Sequence, residues 1–122
     1  MQKNYKQVLA NMVGRGLVID CAPVATHAKI EINAHFIMFN CKMFDKYLNH
    51  TKNYGQGKIT SPYQNTVELL KIFLSHAENL KKGSNHKSIV FPHWDMWGKP
   101  WQCRATAHQK GEFKILTFKE ER

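Results

Sequence analysis

Apolar side chains recur at helical spacing at the start of the chain, where Tyr5, Val8, Leu9, Met12 and Val13 share a face before Gly14 and Gly16 interrupt it. The spacing predicts a first helix over 3–13. Leu17-Val18-Ile19 is a short apolar run with β-branched content, bounded by Gly16 and Pro23, and reads as a buried strand. From Thr26 to Asn49 two periods overlap. Ile30, Ile32, Ala34, Phe36 and Met38 alternate as a strand does, while Ile30, Ala34, Ile37, Cys41, Phe44 and Leu48 form a helical stripe. Strands seldom exceed ten residues, so the length of the pattern favours one long helix. A strand over 28–39 followed by a helix over 41–49 is the alternative.

Residues 50–60 lack periodicity, contain Gly55 and Gly57, and read as a loop. The next element carries the strongest signals. Ser61 caps it, Pro62 takes its first position, and Gln64 stands where a capping box needs it. Val67, Leu70, Phe73, Leu74, Ala77 and Leu80 make a buried stripe, widened by Leu69 and Ile72. Lys81 and Lys82 complement the helix dipole and Gly83 supplies a left-handed stop, so the helix is expected over 62–82 at the centre of the core.

The remainder reads as sheet. Ser88-Ile89-Val90-Phe91 is a strand ended by Pro92, and 101–108 and 112–119 form a hairpin joined by Gln109-Lys110-Gly111. Pairing His108 with Glu112 sets its register. Alternation then places Trp101, Cys103, Ala105 and Ala107 opposite Thr117, Ile115 and Phe113 on a core face. The other face carries Gln102, Arg104, Thr106 and His108 opposite Phe118, Leu116, Lys114 and Glu112. These elements define an α+β fold, with two or three helices on a small, mainly antiparallel sheet that ends in a C-terminal hairpin. No repeat or linker divides it, so 1–122 reads as one domain.

Charge sharpens the picture. Eighteen Lys and Arg against nine Asp and Glu leave a net +9, a potential that attracts polyanions. Only Arg15, Arg104 and Arg122 are arginines. The excess is therefore mostly lysine, a solvated point charge rather than a bidentate fork. The chemistry-bearing groups lie towards the C-terminus. Arg104 and Lys114 are candidates to hold phosphate oxygens, and His108 is a candidate general acid or base beside Arg104. Polar residues on a solvent face are also ordinary, in which case His108 and Glu112 simply pair across strands. The segment from His93 to Trp101 holds all three tryptophans. Together with Lys99, Trp97 and its neighbours would make a stacking platform for unpaired bases, unless the indoles are core anchors. An exposed indole beside Lys99 or Arg104 would shift the balance toward binding. Lys52 and Lys58, with Lys42 and Lys46, extend the basic character through the middle of the chain.

Other chemistries find little footing. His86, His93, Asp95, Cys103 and His108 reproduce no metal-ligand spacing, so no metal or cofactor is expected. Gly55-Gln56-Gly57-Lys58 lacks both the glycine spacing and the preceding strand of a nucleotide loop. Cys21, Cys41 and Cys103 sit in apolar patterns, where a thiol is an inert small hydrophobe. With no apolar leader and no bilayer-length run, the chain is expected in the cytoplasm, with no membrane partner.

The element order, helices first and a basic antiparallel hairpin last, resembles the general plan of small RelE-type toxin ribonucleases, although no motif carries the likeness. The leading expectation is a small basic module that binds RNA or DNA without a recognisable catalytic motif. The alternatives are a metal-independent ribonuclease using His108 and Arg104, and a protein-interaction or homo-oligomeric protein presenting Leu116 and Phe118 as a patch.

Overall fold

A computed structural model of the chain describes residues 7, 11, 12, 14–53, 59–77, 88–95 and 97–121, with the side chains of 52, 53, 59, 60 and 110 left aside. Most of the expected first helix lies outside these residues. Gln7, Asn11, Met12 and Gly14 are helical, and Gly16, at φ +72°, turns the chain out of it.

Strand β1 (Val18–Asp20) leads directly into helix α1 (Ala22–His27), which the sequence patterns did not predict. Pro23 was read as a boundary, but it stands in the first turn of α1, where its fixed φ suits a helix and its missing N–H costs nothing. The expected long helix over 26–49 does not form. The chain is irregular from Ile30 to His35, with bends at Asn33 and His35, pairs as β2 (Phe36–Asn40) and only then winds into α2 (Cys41–Tyr47). Phe36, Ile37 and Phe39, aromatic or β-branched, favour the strand backbone. The switch is made by Asn40, whose side chain accepts the Met43 N–H at 3.0 Å as an N-cap.

Two short strands, β3 (Lys52–Asn53) and β4 (Ile59–Thr60), pair antiparallel where a loop was expected. Helix α3 (Pro62–Ala77) begins as its sequence predicts. The Ser61 N–H donates to Gln64 Oε1 at 3.0 Å and the Gln64 N–H to Ser61 Oγ at 3.3 Å, a reciprocal capping box. The expected stop at Lys81, Lys82 and Gly83 lies outside the described residues.

Strands β5 (Ser88–Trp94), β6 (Pro100–Lys110) and β7 (Phe113–Glu120) complete a five-stranded mixed sheet of order β1-β2-β7-β6-β5, antiparallel except between β2 and β7. Strand β5 continues past Pro92 because it lies at the sheet edge, where a missing N–H is tolerated. Helices α1, α2 and α3 pack on one side, around Phe39, Phe91, Cys103, Ala105, Leu116 and Phe118. Phe73 of α3 meets Phe118 at 5.1 Å and Phe91 at 6.0 Å between ring centroids. The small side chains of Cys103 and Ala105 on β6 leave room for that helix.

The hairpin register departs from expectation by three residues. Lys110 pairs with Phe113, His108 with Ile115 and Arg104 with Lys119. Gly111 and Glu112 are the whole turn, and Gly111, at φ +59°, takes the first central position of a type II′ pattern. An odd shift turns every side chain of β7 to the opposite face. Leu116 and Phe118 therefore enter the helix-covered core, at 6% and 1% exposure, and form no surface patch. Ile115 moves to the outer face, where it is buried with Met38 and flanked by Val18, Phe36 and Phe113.

Candidate functional site

Among the described residues, no helix covers the β5–β6 half of the outer sheet face. Alternation presents Ser88, Val90, Pro92 and Trp94 from β5 beside Thr106, Arg104, Gln102 and Pro100 from β6, with Lys119 and Thr117 following on β7. Val90 and Trp94 are exposed, Trp94 at 47%. The β5–β6 connection continues this surface. Asp95 organises it by accepting the N–H groups of Trp97 at 2.8 Å and Lys99 at 2.9 Å through Oδ1, while its own N–H donates to the Lys99 carbonyl. Gly98, at φ +78°, lets the chain reverse. Trp97 is left standing out at 77% exposure, next but one to the exposed Lys99.

The three tryptophans thus divide. Trp101 is a core anchor, stacked on Tyr47 at 3.9 Å with an interplanar angle of 4° and meeting His93 edge-on. Trp94 and Trp97 face solvent. Trp94 was grouped with the other two tryptophans as platform or core, and its place on the sheet face was missed because Pro92 was read as the end of its strand. The signal was its alternation with His93, which is buried on the inner face.

Arg104 lies on the outer face, with its guanidinium already engaged. Nε donates to Glu121 Oε2 at 2.5 Å, Nη2 to Oε1 at 2.9 Å and Nη1 to Ser88 Oγ at 2.6 Å. The hydrogen bond from Arg104 holds the Glu121 carboxyl below its ordinary range, and Glu121 raises Arg104 in turn. The fork therefore clamps the C-terminal segment to β5 and β6. His108 shares this face, and its Nε2 lies 3.3 Å from Thr117 Oγ1. Four residues of strand place Arg104 and His108 about 13 Å apart along β6, so the two do not converge on one phosphate.

Lys114 is separated from both. Its backbone is tied to His35, whose Nδ1 accepts the Lys114 N–H at 2.9 Å and whose N–H donates to the Lys114 carbonyl at 2.7 Å. Its register pairs it with Gln109, on the helix side of the sheet. Lys52 is on β3, in the small second sheet, and Lys58 lies outside the described residues.

A second polar group gathers at the end of the sheet remote from the hairpin turn. Tyr47 Oη donates to Glu120 Oε2, and Lys46 Nζ reaches the same oxygen at 3.4 Å. Burial and the Glu120 carboxylate both push the Tyr47 phenol up, keeping it protonated as a donor. Burial also pushes the Cys21 and Cys103 thiols up to about 12, which leaves them without thiolate at neutral pH. Among the described residues no three His, Cys, Asp or Glu side chains converge as a metal site, and no helix is long and apolar enough to cross a membrane. Comparison with protein-family models, with curated proteins and with solved structures found no match to this chain.

Proposed function

We propose that this chain binds single-stranded nucleic acid on the open half of its sheet, with the β5–β6 turn as the main contact. One observation carries the reading: two indoles, Trp94 and Trp97, are exposed on a sheet face and its adjoining turn, with Lys99 close by and Lys119 on the same face. Exposed aromatics offer stacking surfaces that every base can use, and nearby ammonium groups follow the backbone. The net charge of +9 adds long-range attraction. Lysine-rich charge with few free guanidinium forks suits backbone contact with little sequence preference. Arg104 contributes by holding the surface together through Glu121 and Ser88, and Lys114 makes no part of it.

The test is titration of a fluorescent single-stranded oligonucleotide, about ten nucleotides long, at several salt concentrations. Binding should weaken steeply with salt. Trp97→Ala should reduce affinity by about tenfold or more, the scale of one lost base stack. Lys99→Gln should lower the slope of log K against log salt by about 0.7, as expected for one lost phosphate contact on a single strand. Binding that ignores salt, or that survives both substitutions unchanged, overturns the proposal. So does a self-associated chain in which Trp94 and Trp97 are protected with no nucleic acid present.

A further inference from the structure

At the other end of the sheet, and on its opposite side, the hairpin and α3 border an open groove of about 800 Å³. One wall is the irregular segment ahead of β2. There Ile30, Ile32 and Ala34 are half-buried while Glu31, Asn33 and His35 alternate outward. The floor is the last turns of α3, through Leu74 and Ala77, and the far wall is Ala107 and Leu116 of the hairpin. Ala107 shows that this space is not closed by the core. It shares the helix-facing register of Cys103 and Ala105, both buried, yet it is exposed. The groove falls within the size range of small-molecule sites, and its inward side chains are mostly apolar.

Charge at its mouth selects the ligand. Glu31 borders the groove as an exposed carboxylate between the half-buried Ile30 and Ile32, whereas the His108 side chain alternates to the outer face of β6. Among the described strand residues that border the groove, Lys114 is the charged one whose register aims it inward, in line with Leu116 and opposite Gln109. Gln109 is turned to the hairpin end, its Nε2 donating to the Gly111 carbonyl at 2.7 Å. The geometry points to a binding site for a small apolar carboxylate, such as a medium-chain fatty acid, with the hydrocarbon along Ile30, Ile32, Leu74 and Ala107 and the carboxylate on Lys114 Nζ. This site is independent of the nucleic-acid surface.

Isothermal titration of the full chain with decanoate, dodecanoate and decanol, each below its micelle concentration, tests the assignment. One decanoate should bind per chain. Two further methylenes should tighten binding about fifteenfold, given about fourfold for each buried CH₂. Decanol should bind severalfold more weakly than decanoate. Lys114→Gln, a surface change, should erase that preference and leave decanol binding in place. Ala107→Phe should fill the groove and abolish binding of both ligands with an unchanged circular dichroism spectrum. Absence of decanoate binding, an unchanged carboxylate preference in Lys114→Gln, or undiminished binding in a folded Ala107→Phe each overturns the inference. Association only with lipid vesicles, and not with free decanoate, overturns it as well.

Discussion

Replacing Asn65 with alanine should destabilise the fold more than any other single polar-to-alanine change in α3. The side chain is completely buried, and its Nδ2 donates to the carbonyls of Leu48 at 2.9 Å and His50 at 2.7 Å. Both neighbours are acceptors, so the amide nitrogen must be the end that faces them. These two bonds fasten the first turn of the central helix to the segment leaving α2, and hence to Tyr47 and the Trp101 it stacks on. Losing them removes about 0.5–1.5 kcal/mol each. The Leu48 carbonyl keeps the His50 N–H at 2.8 Å, but the His50 carbonyl loses a partner in a half-buried setting, adding about 1 kcal/mol. The total is about 2–4 kcal/mol.

The neighbouring buried polar residue supplies the control. Thr66 Oγ1 donates only to the Pro62 carbonyl one turn back, at 2.9 Å, a local bond whose acceptor keeps its helical partner. Thr66→Val should cost no more than about 1 kcal/mol. Urea denaturation followed by far-ultraviolet circular dichroism measures both. Asn65→Ala should shift the midpoint at constant m-value, and Asn65→Asp should shift it further by aiming a carboxylate at two carbonyls. If Asn65→Ala proves no costlier than Thr66→Val, the bonds do not join α3 to α2 as described, and the reasoning is refuted.

Further expectations concern charge, thiols and the turn. Glu121 has a lowered folded value, so its contribution to stability is complete above the ordinary carboxylate range and is lost as pH falls through that lower value. Unfolding midpoints should therefore show wild type and Glu121→Gln converging on acidification from neutral pH, and a gap that widens towards acid contradicts the pairing. Iodoacetamide at about pH 8, near the ordinary thiol range, should spare Cys21 and Cys103, which burial holds near 12, and modify all three cysteines only in denaturant. Rapid native labelling of Cys103, read by mass spectrometry, contradicts its burial. Gly111→Ala should cost about 1 kcal/mol because a Cβ is strained at φ +59°, whereas Gly111→Asn should cost less. Thermal melts rank the two, and equal losses remove the turn assignment.

What the sequence made legible was local chemistry with a single solution. Ser61, Pro62 and Gln64 begin α3 as their types require, and the small side chains of β6 line the helix-facing side of the sheet. The harder regions offered two solutions of similar quality. In β7, apolar residues fall on both parities, at Phe113 and Ile115 and again at Leu116 and Phe118, so hydrophobicity alone did not fix the register. The glycine did, because position one of a two-residue turn demands its positive φ. Between Ile30 and Leu48 a strand period and a helix period overlap, and the capping side chain of Asn40 separates them. Pro23 and Pro92 misled for one shared reason. Each was read as a terminator, yet one opens a helix and the other occupies an edge strand, two places where a missing N–H does no harm.

The three-residue shift also reassigns the functional groups. With His108 opposite Glu112, Lys114 would join Arg104 and His108 on one cationic face. With His108 opposite Ile115, Lys114 turns to the helix side, and Arg104 is left beside Lys119 with its fork on Glu121. Cations once grouped on a single surface are divided between two, and the polyanion reading moves to the β5–β6 turn, where the indoles are. Those surfaces lie on opposite sides of the sheet, and Pro100 and Gln109 are separated by about 30 Å of strand. Trp97→Ala should therefore weaken oligonucleotide binding and leave decanoate affinity intact, while Lys114→Gln should do the reverse. A Lys114 variant that loses salt-dependent oligonucleotide binding would return that ammonium group to the Arg104 face, and the register described here would have to be abandoned with it.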